Sequence, residues 1–368
     1  MGRFSELLTG QEALGALCNA IAGASWVGLD TEFVRERTYF AQLCLIQVAL
    51  PDALVLVDPL HVDIRPLGAA LRSRGIKILH AGRQDLELLL QETHTLPTPL
   101  FDTQIAAALV GQNEQIGYAN LVAQLLQVEL NKDATRTNWA MRPLSSRQLA
   151  YAQDDVRYLE ALYDKLASEL SRLDRMAWLS EDCAALIEPE LYRFSADQLT
   201  RRYRQGANLS APSQAIFQDL LVWRESAAKE ANLPRTWVLS DAVLLDLATR
   251  PPKALADFTD RRGLDSQNIG RFAEALLAII GEAAQNPRYA WAQPTLKPEE
   301  DRLYSALVAL VEARAKALAI LPGVICSRRT LKEIAQGAPP GNLTHGWRAE
   351  ILGSQGALLL TEVADTHA

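Results

Sequence analysis

The chain is poor in cysteine: among 368 residues there are four, and none of them forms a CxxC pair. Cys18, Cys44, Cys183 and Cys326 are too scattered for a disulfide framework or a thiolate zinc site, and they suit a reducing cytoplasm. Histidine is also sparse. His61, His80, His94, His345 and His367 show no ligand spacing and no HExxH pattern, which removes zinc hydrolases of that type. There is no GxxxxGK phosphate loop, so an ATP-driven motor is not expected. Apolar runs are short, and MGRFSELLTG at the start lacks the basic, apolar and small-residue order of a signal peptide, so neither membrane insertion nor export is expected. Basic residues are outnumbered, with a formal net charge of -7. Proteins that coat nucleic acid rely on clustered Lys and Arg, so any such contact here must come from local basic patches.

What is present is a length suited to two or three domains. In the first third, WVGLD, CLIQVAL from Cys44 and ALVLVD from Ala53 are short and rich in Val, Ile and Leu, with Pro51 and Asp52 marking a turn. They predict a three-strand meander. IRPLGAALRS then has helical spacing, KILH reads as a buried strand and QDLELLLQE as a helix, so an α/β sheet covered by helices is expected. From about Leu100 onward the periodicity is helical.

The helical part repeats itself. LPRTWVLSDAVLLDLATRPP from Leu233 and LPGVICSRRTLKEIAQGAPP from Leu321 share Leu-Pro, a Ser, a Leu four residues on, an Ala four further and then Pro-Pro. GRFAEAL at Gly270 matches GWRAEIL at Gly346. NPRYAWAQPTLKPEE between them has the prolines and charges of a linker.

Chemistry enters with carboxylates. In WVGLDTEFVRER, Asp30 and Glu32 lie two apart on a strand and so share one face, with Thr31 pointing away. Two acids ionised near neutral pH repel unless something positive sits between them, and a divalent cation is the obvious candidate. Asp85 in KILHAGRQDLELLL follows a strand end and opens a helix, where a cap is the alternative role. In LAYAQDDVRYLEALY, Tyr151 shares a helical face with Asp155 four residues on, and Asp154 at three residues is equally reachable.

Together these residues resemble the DEDD exonucleases of the tyrosine-bearing branch: Asp-x-Glu on a first strand, an Asp opening a helix after His-Ala, and a late Tyr-x-x-x-Asp. The family register selects Asp155 over Asp154. LVWRESAAKEANLPRTWVLSDAVLLDLA, Leu221 to Ala248, resembles the helicase-and-ribonuclease-D C-terminal (HRDC) domain, and the whole arrangement resembles the bacterial ribonuclease D family. The resemblance implies an α/β, ribonuclease-H-like nuclease domain over 1–170, a helical connector over 171–207, and two all-α HRDC bundles. These bundles would cover 208–290 and 298–368, with a linker at 291–297. It further implies hydrolysis from the 3' end of RNA by two divalent ions, Mg2+ or Mn2+, about 3.5 to 4 Å apart. Asp30 would bridge both ions. Glu32 and Asp155 would complete the site holding the attacking water, Asp85 would support the second ion, and Tyr151 would orient the nucleophile. A phenol with a pKa near 10 is a positioning partner rather than a strong base. Precursor transfer RNA with a 3' extension is the implied substrate.

Other residues have two readings. His80 is a strand-end structural group or approaches substrate, and Asp102 before an apolar helix is a cap or a further ligand. Phe33 packs in the core or under an unstacked terminal base. Arg201, Arg202 and Arg204 around Tyr203 are a solvated face or a contact for the RNA backbone. Alternative functions are a DNA 3'-5' exonuclease, since two-metal chemistry does not itself select ribose, and a non-catalytic module that binds RNA 3' ends.

Overall fold

The computed structural model describes residues 7–130, 137–259, 261, 263–264, 266–285 and 295–367; the linker expected at 291–297 falls mostly outside them. These residues divide into two compact units. One comprises the described parts of Met1–Val34, Leu43–Tyr192 and Glu299–Ala368, the other Arg35–Gln42 with Arg193–Pro298.

The first unit is built on a six-stranded sheet in the order β1-β4-β3-β2-β5-β6. Its nuclease-like part runs β1 (Leu7–Leu8), α1 (Gln11–Gly23), β2 (Trp26–Val34), β3 (Gln42–Leu50), β4 (Ala53–Val57), α2 (Arg65–Ala70) and β5 (Ile76–Leu79). It continues through α3 (Arg83–Thr93), β6 (Leu100–Asp102), α4 (Thr103–Leu109), α5 (Tyr118–Leu126), α6 (Ser146–Arg157), α7 (Leu159–Arg172) and α8 (Met176–Leu186). Pro51 and Asp52 turn the chain so that β3 and β4 pair antiparallel, Leu50 against Ala53 and Ile46 against Val57. β5 runs parallel to β2, with Gly28 opposite Ile78, and β6 runs parallel to β5, with Asp102 opposite Leu79. The strands are nearly all apolar because helices cover both faces; Leu43 to Leu50 are buried without a break.

Gly28 makes one of these coverings possible. A Cβ there would come within 3.1 Å of both Ala49 Cβ and Leu159 Cδ1, so its absence lets α7 lie directly on β2. Leu159, Leu162, Leu166 and Leu170 form the buried stripe of α7 at spacings of three and four. LFD at Leu100, inside the region expected to be helical, is instead strand β6. Three residues carry no period of their own, and their extended form comes from pairing with buried β5.

The same unit includes α14 (Pro298–Leu318), whose first residue Pro298 is assigned to the other unit, and α15 (Pro322–Ile325), α16 (Arg328–Ala335) and α17 (Gly346–His367). Trp347 stacks on Trp178 of α8 at 4.6 Å, and the guanidinium of Arg348 pairs with Asp182. Arg175 donates 2.6 Å hydrogen bonds to the carbonyls of Leu109 and Leu318.

The second unit carries α9 (Ala196–Arg202), α10 (Ala211–Ala231), α11 (Arg235–Val238), α12 (Asp241–Thr249) and α13 (Ser266–Gln285). Phe217, Leu220, Leu244, Leu247, Phe258 and Leu276 meet in its core. The order α10 to α13 is reproduced by α14 to α17: 21 residues in each first helix and four in each second, then a short third helix, a 3-10 turn and a long last segment, continuous in α13 but broken at Gly353 in α17. Asn232 and Ala319 both terminate the long helix in the left-handed region, and Ser240 and Ser327 both cap the third helix. In that register the two Leu-Pro pairs are displaced by one residue, so the sequence repeat is real but slightly misaligned at its most visible dipeptide.

Candidate active site

Extended backbone through β2 carries Asp30 and Glu32 to one side, and α6 brings Asp155 to them. One carboxylate oxygen from each of the three lies within 4.8 Å of the others. α6 starts where it does because Ser145 and Gln148 form a reciprocal capping box. Ala152 and Val156 face inward, leaving Tyr151 and Asp155 one turn apart beside that stripe. Asp154, which spacing alone could not distinguish, pairs with Arg157 at 2.8 Å on the surface, and Asp155 is the acid that joins the cluster.

Asp85 enters at the first turn of α3, after β5. Its carboxylate accepts a hydrogen bond from Thr31 Oγ1. Thr31 is therefore a holder of the fourth acid, where strand alternation alone makes it a bystander. β5 is the neighbour of β2, so the helix that follows it passes close enough for this contact.

Burial, and after it the charges of neighbouring acids, raises the proton affinity of all four acids. Burial, followed by the charges of Asp85, Asp155 and Glu32, pushes Asp30 well above the carboxylate range. Glu32 is raised to about 8 by burial and by Asp155 and Asp85. Asp155 is raised to about 7 by burial and by Asp154 and Asp85. Asp85 reaches about 6, with burial raising it and the Thr31 hydrogen bond lowering it. The charges acting on Asp30 and Glu32 are those of other acids. A wholly oxygen donor set of this density suits hard divalent cations, so the residues fit the group that the sequence resemblance implies.

Besides Thr31, three supports were missed in the sequence. Gln47, fully buried in β3, donates from Nε2 to Asp30 Oδ2 at 3.3 Å, while its Oε1 has no hydrogen-bond partner among the described residues. A lone amide inside CLIQVAL was the available signal. Arg142 is the second support. It bonds both oxygens of fully buried Asp58 at 2.6 and 2.7 Å and the carbonyls of Cys44, Trp139 and Met141. This clamp seats Trp139, the third, whose ring lies 6.1 Å from that of Tyr151 in a cluster with Cys44, Leu45 and Leu56. No local pattern reveals it, because the partners are far apart in the chain.

His80 lies outside the acid cluster: Nε2 donates to the Ile116 carbonyl, and Nδ1 is 2.9 Å from the Thr103 hydroxyl. Asp102 caps α4 through the amides of Gln104 and Ile105 and also accepts from Ala81 and Gly82, fixing the entry to α3. Phe33 is half-buried directly after Glu32. In the second unit, Arg202 is exposed, with its guanidinium 5.8 Å from the Tyr203 ring centre. The side chains of Arg201 and Arg204 lie outside the described residues.

The sheet with helices on it and the clustered acids define a nuclease of the 3'-5' exonuclease class, and comparison with known proteins agrees. Residues 6–171 match the family described as 3'-5' exonuclease, and residues 213–280 match the HRDC domain. The chain is 40% identical to ribonuclease D of Jannaschia sp. (strain CCS1), covering 97% of this chain and 96% of that protein. It is 35% identical to ribonuclease D of Zymomonas mobilis, covering 96% and 93%. The crystal structure of Escherichia coli RNase D, an exoribonuclease involved in structured RNA processing, superposes with a TM-score of 0.85 at 33% identity, covering 97% and 98%. The catalytic core of RRP6 from Trypanosoma brucei shares the fold, with a TM-score of 0.57 at 22% identity. The chain belongs to the ribonuclease D family and is a hydrolytic 3'-5' exoribonuclease acting on RNA.

Proposed function

We propose that this exoribonuclease removes nucleoside 5'-monophosphates from 3'-extended transfer RNA precursors by two-metal hydrolysis, with Asp30, Glu32, Asp85 and Asp155 as the ligands of Mg2+ or Mn2+. The observation that supports this reading is the meeting of carboxylates from β2 and α6 within 4.8 Å, at raised proton affinities that bound cations would lower. Bound divalent cations supply a polarised water and a counter-charge for the leaving 3' oxygen.

The chain's own groups do the rest. Asp30 would contribute to holding both ions, Glu32 and Asp155 would complete the side that holds the water, and Asp85, steadied by Thr31, would support the leaving-group side. Tyr151, seated against Trp139, orients the water through its hydroxyl. Phe33 packs under the terminal base, and Arg201, Arg202 and Arg204 attract the RNA backbone. In this plan residues 1–170 are the exonuclease domain and 171–207 the connector, with HRDC bundles at 208–290 and 298–368 joined by 291–297. The four cysteines form no disulfide, which suits work in the cytoplasm. Among the described residues, no helix is long and apolar enough to cross a membrane.

The test is a time course on a 3'-extended transfer RNA, an unstructured RNA and a matched DNA, each with and without Mg2+. Metal-dependent shortening of RNA from the 3' end to mononucleotides, fastest on the extended transfer RNA, is expected. Internal cuts, shortening from the 5' end or equal loss of DNA would overturn it.

A further inference from the structure

Tyr118 opens α5 and belongs to none of the motifs above. Its ring packs edge-on against His80, with centres 5.7 Å apart, and His80 is itself tethered to Ile116 and Thr103. The phenol therefore starts from a fixed base. Its hydroxyl donates to the Asp154 carbonyl at 3.0 Å and accepts from the Tyr158 amide at 3.1 Å.

Those two backbone groups are four residues apart. In an uninterrupted α-helix the Tyr158 N–H would bond the Asp154 carbonyl directly. Here a side-chain oxygen sits in that rung. α6 ends at Arg157 and α7 begins at Leu159, with Tyr158 between them at φ -105° and ψ 5° and its N–H directed along the chain to Val156 O. Insertion of a polar group into the ladder is a recognised cause of a helix bend, and it leaves both backbone groups partnered.

Two tasks meet at this junction. Before it, Asp155 lies inside the opened rung and reaches Asp30 and Glu32. After it, Leu159 is buried on β2 at Gly28, two residues ahead of Asp30. Asp155 and Leu159 are four residues apart and face the same strand, so whatever fixes the backbone between them fixes how both meet β2. Burial and the neighbouring charges of Asp155 and Asp30 also push the Tyr118 phenol above its usual range, so it remains a donor.

We propose that Tyr118 is a positioning residue whose hydroxyl, wedged between the Asp154 carbonyl and the Tyr158 amide, holds the α6–α7 junction and with it the backbone that presents Asp155 to Asp30 and Glu32. This rests on the reading of Asp155 as a metal ligand, and the test separates the two ideas.

Tyr118→Phe keeps the ring on His80 and removes only the wedge. Mn2+ binding to the metal-free full-length protein, read by electron paramagnetic resonance, should weaken by about 10-fold or more. RNA turnover should fall similarly in kcat, with KM within about 2-fold. In an Asp155→Asn background the same change should add nothing, the mark of two groups acting as one. Unchanged Mn2+ affinity in Tyr118→Phe, beside weakened affinity in Asp155→Asn, would overturn the wedge and leave the site reading standing. Unchanged affinity in Asp155→Asn itself would overturn the ligand assignment on which both depend. A check without substitution is amide exchange in the native protein: the Tyr158 N–H should be protected although its helical partner is taken. Exchange at the rate of an open amide would contradict the proposal.

Discussion

Acidic residues live by opposite rules in the two units. In the second, half-exposed Asp241 pairs with Arg224 at 2.7 Å, and Glu225 is held by Arg235 and by Tyr39. Burial would raise Glu225, yet the Arg235 and Tyr39 hydrogen bonds more than offset it and leave it below the usual carboxylate value. In the first unit, Asp30, Glu32 and Asp155 meet within 4.8 Å, Asp85 is buried beside Thr31, and all four rise. Asp58, on the same sheet, shows that the first unit can pair acids too, since burial raises it but Arg142 brings it below the ordinary value. Folding neutralises buried acids when it is free to. The cluster is the exception because its partner comes from solution.

The sharpest way to break that contrast is to remove one acid from each class. Asp30→Asn should lower RNA turnover by about 10³-fold or more, measured by release of mononucleotides, while the metal-free protein melts at an equal or higher temperature. Near-normal turnover at physiological Mg2+ would refute the assignment. Arg142→Ala should act in the opposite way: it strands a fully buried Asp58 and should cost about 3 kcal/mol in denaturant unfolding. A change near zero would mean the clamp is ornamental. Tyr151→Phe should reduce kcat by roughly 10- to 100-fold with little change in stability, read under single-turnover conditions.

The pH dependence sharpens the comparison further. In the unfolded chain the four acids titrate near 4. Because their folded values are higher, the folded metal-free protein binds more protons than the unfolded chain between about 4 and 8, so its stability falls as pH rises through that window. Saturating Mg2+ should abolish this decline, which thermal melts at pH 5 and pH 8 would reveal. Asp58 and Glu225 behave inversely, since their contribution is present at neutral pH and is lost as pH falls below about 4. Smallest of all, exposed Arg202→Ala should raise KM by about 2-fold and flatten its salt dependence.

The parts of this arrangement that were legible beforehand are those with a local signature. β2 to β5 announce themselves as apolar runs, Asp30 and Glu32 by strand alternation, and the bundle repeat by its Ser, Leu and Ala spacing. β6, with three residues, and β1, with two, have no periodicity to read; their shape is conferred by the strands they pair with. The roles of Thr31, Gln47 and Arg142 were hidden for a related reason, although the lone amide of Gln47 in an apolar strand stood out. Each acts through a partner at least 17 positions away, Asp85, Asp30 and Asp58 respectively. Asp154 and Asp155 show the limit of spacing most clearly: it admits either, the family resemblance selects Asp155, and the fold sends Asp154 to Arg157 and Asp155 to the cluster.

The most direct measurement is anomalous diffraction from crystals of the full-length protein soaked in Mn2+ at pH 8. Two peaks flanking the Asp30 carboxylate, with Glu32, Asp155 and Asp85 around them, and neither peak in Asp30→Asn crystals, is the predicted result. Active protein whose manganese lies elsewhere, or an Asp30 pocket that stays free of metal at saturating concentrations, would contradict the account.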